Sequence, residues 1–304
     1  MDNTPFASTN LYYRHSGRFS PGGVVKALVL GTLIAIPVGA IYAYIDLYNP
    51  IAGWVTFFVT GGTGFFMGWV IASFLKSGKV RNGALAMVIT GFVAGVMLLS
   101  SWEVWLYAVL RQAGVNEIGL LDIVFSPRLA WEILVAVNAK GAWALKDMTP
   151  TGIFLDLLWL AEAGALLGIP LAFAWHTIQE APFCEKCNKW CASRDLFNLN
   201  VGDKDTLRTK LEARDFAILT ALGQSPPTGM HFWHAYFQGC ADCDTTQTLC
   251  IDDYTVTTDK HGKMQTKKTP VISRLVLSPE DTVAVATAIA ALTSPPAPDP
   301  NAKP

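Results

Sequence analysis

Four stretches of this chain are each apolar for about twenty residues, and that property limits the folds open to it more than any other. A bilayer core about 30 Å thick needs roughly 20 consecutive apolar residues in helical form, because backbone groups there find no water and must bond within the segment. The runs expected to do this are 24–45, 51–75, 84–110 and 153–175. Lys26 lies early enough in the first to reach the headgroups, Trp54 and Trp69 stand near the ends of the second, and Pro170 is expected to bend the fourth. Of the 304 residues, 51% are hydrophobic and 15% charged, with a mean hydropathy of +0.33. Lipid is a simpler solvent for such a composition than water. The first run is longer than the core of a signal peptide and lacks a small-x-small cleavage site, so it reads as an uncleaved helix.

Basic residues set the expected topology. Arg14, Arg18 and Lys26 precede or open the first run, and Lys76, Lys79 and Arg81 lie between the second and third. The 46–50 turn holds none. Both termini are therefore expected in the cytoplasm, with segment 111–152 external. Residues 1–23 read as a polar, flexible N-terminus. Within 111–152, Ser126 and Pro127 look like an N-cap and first-turn proline opening a helix to about Ala139. Its apolar face, Leu129, Ile133, Leu134 and Val137, suits an interfacial helix or a re-entrant element.

Glu162 stands near the middle of the fourth run, where an ionised carboxylate costs at least ~2.5 kcal/mol. It should face the bundle interior, carry a proton or meet a partner. Asp156 is six positions earlier, about 600° of helical rotation, so the two acids point to different faces. The GGTG at Gly61 to Gly64 hints at a discontinuous helix of the transporter kind. Gly64 with Gly68, and Gly91 with Gly95, form GxxxG pairs that suit either packing within one bundle or a homo-oligomer seam.

All six cysteines follow residue 180. PFCEKCNKWC supplies Cys184, Cys187 and Cys191; GCADC supplies Cys240 and Cys243; Cys250 follows. Two CxxC pairs separated in this way match the ligand pattern of a zinc ribbon, each turn presenting two thiolates to one tetrahedral Zn²⁺. A reducing compartment favours metal over disulfides there, with iron in the same geometry, or a redox dithiol pair, as alternatives. Cys191 and Cys250 are left over as small buried hydrophobes. His231 and His234 in MHFWHAY have a spacing that can also ligate metal. The domain at 179–293 is expected to carry an inserted amphipathic helix at 203–222 and a β-hairpin of strands 247–257 and 265–277 with its turn at 259–262. A last helix, capped by Ser278, should run to about Leu292. The proline-rich tail 294–304 is expected to be disordered.

The fold class expected is thus a membrane bundle of about four transmembrane helices over 24–178, followed by a small α+β zinc-ribbon-like soluble domain. YRHSGRFSP before the first run, GKVRN after the second, WLAEA in the fourth and PFCEKCNKWC after it resemble a group of uncharacterised bacterial membrane proteins with a C-terminal zinc-ribbon-like domain. That resemblance implies an inner-membrane location and metal binding, and no activity. With a net charge of −1 and no basic stripe, nucleic acid is not an expected partner. The leading expectation is a non-enzymatic scaffold or adaptor, held in the lipid bilayer, whose metal-stabilised module binds another protein. A small transporter or channel using Glu162, and a thiol redox or metal sensor, are the alternatives.

Overall fold

The structure is a computed structural model and describes residues 11–48, 54–142, 149–226, 230–260 and 263–293. The chain forms two compact units: Ser16–Glu180, and Met1–His15 together with Ala181–Pro304.

In the first unit, helices α1 (Pro21–Leu47), α2 (Trp54–Ser77) and α3 (Gly83–Gln112) are followed by short α4 (Leu120–Val124) and α5 (Pro127–Lys140), then α6 (Gly152–Glu180). The four long helices have 27, 24, 30 and 29 residues. At 1.5 Å per residue even the shortest reaches about 36 Å, more than a bilayer core. All four are long and apolar enough to cross a membrane. Helix α1 begins at Pro21 rather than at residue 24, because Ser20 caps it and proline suits its first turn. The GGTG segment does not interrupt α2, which is one continuous helix, so the expected discontinuity is corrected.

The packing is inverted relative to a water-soluble bundle. Large side chains such as Leu33, Phe57, Phe58, Val88 and Leu160 point outward, while alanine and glycine are buried between helices. On α1 the small residues recur every fourth position: Gly23, Ala27, Gly31, Ala35, Gly39 and Ala43. Gly31 and Gly39 place the backbone of α1 directly against α3, where a Cβ on Gly31 would sit 3.1 Å from Val93. Close backbone approach of this kind drives association in lipid, where burial of apolar area gives no advantage. Across the same seam Ser100 donates to the Ile36 carbonyl at 2.9 Å. Gly64 and Gly68 serve the α2 and α6 contact, facing Ile169, Phe173 and Pro170. Their GxxxG is internal packing. Gly95, by contrast, has nothing within 4 Å of where a Cβ would stand.

Helix α5 starts at the Ser126 cap as expected. Ile133 is buried against Ala43, Val104, Trp105, Leu106 and Ile123, with Leu129, Leu134 and Val137 packed around them. Asn138 ties it to α6, donating to Asp156 at 2.5 Å and to the Gly152 carbonyl at 3.2 Å.

The second unit holds a two-stranded hairpin, β1 (Phe183–Cys184) with β2 (Lys189–Trp190), and a four-stranded antiparallel sheet. The sheet strands are β3 (Ala192–Leu199), β4 (His231–Gly239), β5 (Gln247–Thr258) and β6 (Met264–Leu277), paired in that order. Helices α7 (Lys204–Glu212), α8 (Ala217–Leu222) and α9 (Pro279–Thr293) supply the rest. Trp233, Ala235, Leu249, Ile251 and Leu275 of the sheet pack with Leu207, Leu211, Leu219 and Val285 of the helices into one core.

The expected hairpin forms as β5 and β6, and β3 and β4 extend it into a four-stranded sheet. Three other expectations for this unit are corrected. The helix expected at 203–222 is two helices, broken where Arg214 takes a positive φ of 62°. The expected flexible N-terminus at 1–23 is corrected for its described part, in which Leu11–His15 belongs to this unit and Pro21 opens α1. There the Tyr13 amide donates to the Arg274 carbonyl, and the Val276 amide to the Leu11 carbonyl, both at 2.9 Å. The domain boundary accordingly falls at 180/181, and the bundle at Ser16–Glu180 rather than 24–178. Ser278 and Asp281 form the expected reciprocal cap of α9, at 2.9 and 3.0 Å. The tail 294–304 and part of the 259–262 turn lie outside the described residues.

Candidate functional site

Sheet registration assembles the cysteine site. Residues Phe183 and Trp190 pair across the β1 and β2 hairpin with rings edge-to-face at 5.1 Å, and Asn188 closes its turn with a φ of 54°. The Tyr13 hydroxyl buttresses it, accepting from the Phe183 amide at 2.9 Å. Strand β3 begins directly after Cys191, and its first residue, Ala192, pairs with Gly239. That register brings the first CxxC turn beside the second, which occupies the connection from β4 to β5. The second turn is closed by the Cys240 amide donating to the Thr246 carbonyl at 3.0 Å. Lys189 and Asp242 bridge the two turns at 2.5 Å.

Cys184, Cys187, Cys240 and Cys243 converge so that all four sulfurs lie within 4.8 Å of one another. Cys243 is 3.6 Å from Cys184 and 3.3 Å from Cys187. Four sulfurs at about 2.3 Å from a tetrahedral ion would be about 3.8 Å apart. The donor set therefore fits a metal in size and in chemistry. These separations are well beyond the ~2.05 Å of an S–S bond, and all six cysteines are free thiols.

The thiols differ in acidity because their surroundings differ. Hydrogen bonds from Thr245 pull Cys243 down to about 6, and the Cys187 thiol, donating to Cys243, is pushed up to about 12. Burial raises Cys184. Cys191 is buried beside the four and is pushed up to about 12 by that burial, in the manner of an apolar packing residue. Cys250 is buried in β5, away from the cluster, with its thiol directed at Gln238.

The two histidines do not join the cysteines. His231 bonds Asp253 at 2.8 Å, and His234 bonds Asn198 at 2.9 Å. The pairs Phe232 with Tyr254, and His234 with Tyr236, stack at centroid distances of 5.4 and 5.9 Å on the sheet face opposite Trp233. Lys268 lies over Tyr236 and Tyr254 and pairs with Asp252 at 3.0 Å. The aromatic residues of HFWHAYF, a type that favours strands, are the sequence signal for β4.

Glu162 faces the interior of the bundle. The Tyr42 hydroxyl donates to it and also bonds Thr60 at 2.8 Å. Thr60 caps back on the Thr56 carbonyl at 2.8 Å, and Thr56 reaches Asp46 at 3.4 Å. A small cleft of about 20 Å³ lies beside these groups, lined among the described residues by Tyr42, Ala43, Asp46, Ser101, Trp102, Trp105, Trp159 and Glu162. Sequence reading singled out Glu162 alone, since Tyr42, Asp46 and the tryptophans meet it only through packing of α1, α3 and α6. Comparison with family models, with curated proteins and with solved structures returned no match to this chain.

Proposed function

We propose that this chain is a non-enzymatic integral membrane protein whose C-terminal unit is a zinc-stabilised interaction module, anchored by the bundle in a bacterial inner membrane with both termini cytoplasmic. The observation that carries the reading is the convergence of four thiols from two CxxC turns. A thiolate set selects Zn²⁺ among common divalent ions, with Fe²⁺ the nearest competitor. When bound, the ion supplies a cross-link. Four sulfur ligands complete its shell and leave no position for substrate, which suits a structural role. Cys184 and Cys187 would hold it from the β1 and β2 hairpin, Cys240 and Cys243 from the main sheet. The basic residues between α2 and α3 favour the cytoplasmic side, where thiols stay reduced. The stacked aromatics Phe232, Tyr236 and Tyr254 give this sheet face the aromatic enrichment common at protein-binding surfaces.

Metal content of the purified full-length protein, measured beside maleimide labelling in intact cells, tests this reading. About one zinc per chain is expected in the native protein and in Cys191→Ser and Cys250→Ser, and little in Cys184→Ser or Cys243→Ser. The thiols should resist a membrane-impermeant maleimide until cells are opened. Labelling from outside, or full metal content in Cys243→Ser, would overturn it.

A further inference from the structure

We propose that the N-terminal segment Leu11–His15 is a clamp that presets the cysteine site, with Tyr13 the positioning residue for the turn that bears Cys184 and Cys187. The proposal rests on the reading of that site as a metal centre. Two of its four thiols stand on a weak support. Strands β1 and β2 have two residues each, and a two-stranded sheet of that size does not hold a geometry in water by itself. The support comes from the far end of the chain. An extended segment sends successive side chains to opposite sides. Tyr12 pairs with Leu275 of β6, packs against the core of the sheet and its helices, and donates to Glu212 of α7 at 2.7 Å. Tyr13, the next residue, turns to the hairpin. Its hydroxyl accepts from the Phe183 amide at 2.9 Å and lies 3.4 Å from the Phe183 carbonyl and 3.3 Å from His15 Nδ1. Both backbone polar groups of the residue before Cys184 thus meet one hydroxyl. Phe183 is buried, so water does not readily take over those contacts. The rings of Tyr13, His15, Trp190 and Phe183 then form an edge-to-face row with successive centroids 5.2, 5.9 and 5.1 Å apart.

A metal site binds tightly when contacts behind the ligands hold them in place before the ion arrives. Cys240 and Cys243 have the main sheet behind them. Cys184 and Cys187 have the clamp, which is fastened to the core through Tyr12 and to the hairpin through Tyr13. Such coupling is reciprocal. An ion that fixes the hairpin also fixes Leu11–His15. The chain passes between the two units at 15/16 and again at 180/181, and Ser16 to Ser20 lead from the clamp into α1. Metal loading therefore sets how firmly the first of these passages is held.

The test measures zinc on the full-length protein in detergent, by competition with a strong chelator for affinity and by transfer to a chromogenic one for the rate of release. Tyr13→Phe keeps the ring and removes only the hydroxyl. It is expected to weaken zinc binding and to speed release by at least about tenfold, the low end of what loss of an outer contact does to a metal site. His15→Leu removes the ring between Tyr13 and Trp190 and provides a second arm with a loss in the same direction. Tyr254→Phe removes a hydroxyl elsewhere in the same unit, on β5, and should leave both quantities near their native values. Hydrogen exchange of the native protein needs no variant. On chelation, segment 11–15 should lose protection by at least about tenfold, while the β4 and β5 amides near Ala235 and Ile251 keep theirs. Native affinity and release in both Tyr13→Phe and His15→Leu, equal weakening in Tyr254→Phe, or unchanged protection of 11–15 overturns the clamp and leaves the metal reading standing. A native protein that holds no zinc overturns both.

Discussion

A strong chelator added to the detergent-solubilised protein at neutral pH will lower the melting midpoint of the C-terminal unit by at least about 10 °C, while the helical signal of the bundle stays intact. A structural zinc in small zinc-finger peptides is worth roughly 10–16 kcal/mol, and each kcal/mol moves a domain of about 100 residues by about 4–8 °C. Only part of that stabilisation is at stake here. The core around Trp233, Leu249 and Leu275 is built from the sheet and its helices and does not touch the sulfurs. The loss falls on the hairpin of β1 and β2, whose four residues make a two-stranded sheet too small to persist in water without its neighbours. Limited proteolysis should therefore cut first within 181–192 in the chelated protein. Added zinc should reverse both effects. An unchanged melting midpoint after complete metal removal would show that the thiols are packed, not ligating.

Gly39→Leu is expected to break the bundle. A Cβ at Gly39 would lie 2.4 Å from the Met97 carbonyl oxygen and 3.0 Å from the Ser101 amide nitrogen. These are backbone atoms of α3 and cannot turn aside, so α1 must move away from its partner. Overpacking of a close contact costs about 1–3 kcal/mol or more, and here displacement of α1 also removes the Ser100 bond to Ile36. Gly95→Leu is the control, because nothing lies within 4 Å of the new Cβ. Thermal stability followed by size-exclusion chromatography in detergent should fall sharply for the first variant and remain near the native value for the second. Equal behaviour of the two would mean that α1 and α3 are not in backbone contact.

What could be read in advance follows from whether the signal is local. The four spans are legible because length and apolarity are properties of one segment, and the two CxxC pairs because ligand spacing is also local. The small-residue stripe on α1 is equally present in the sequence, at every fourth position from Gly23 to Ala43, but glycine alternates there with alanine, so no GxxxG pair marks it. The break at Arg214 was hidden, since Leu207, Leu211, Phe216 and Leu219 keep an apolar stripe that continues across it. Strand β3 was hidden for another reason. Its sequence, ASRDLFNL, is polar over its first half, where the strand is exposed, and carries a bulge between Asp195 and Phe197. The pairing of Leu11–His15 with β6 joins residues more than 250 positions apart, and nothing in either segment announces the other. The same holds for the tryptophans around Glu162, drawn from two helices that meet only once the bundle has packed.

X-ray absorption at the zinc edge, recorded on the full-length protein purified without added metal, tests the central claim most directly. The account predicts one metal per chain with a single shell of four sulfurs at about 2.3 Å and no nitrogen or oxygen neighbour. A mixed shell containing imidazole or carboxylate, or a protein free of metal whose sulfurs are bonded in pairs at about 2.05 Å, would contradict it.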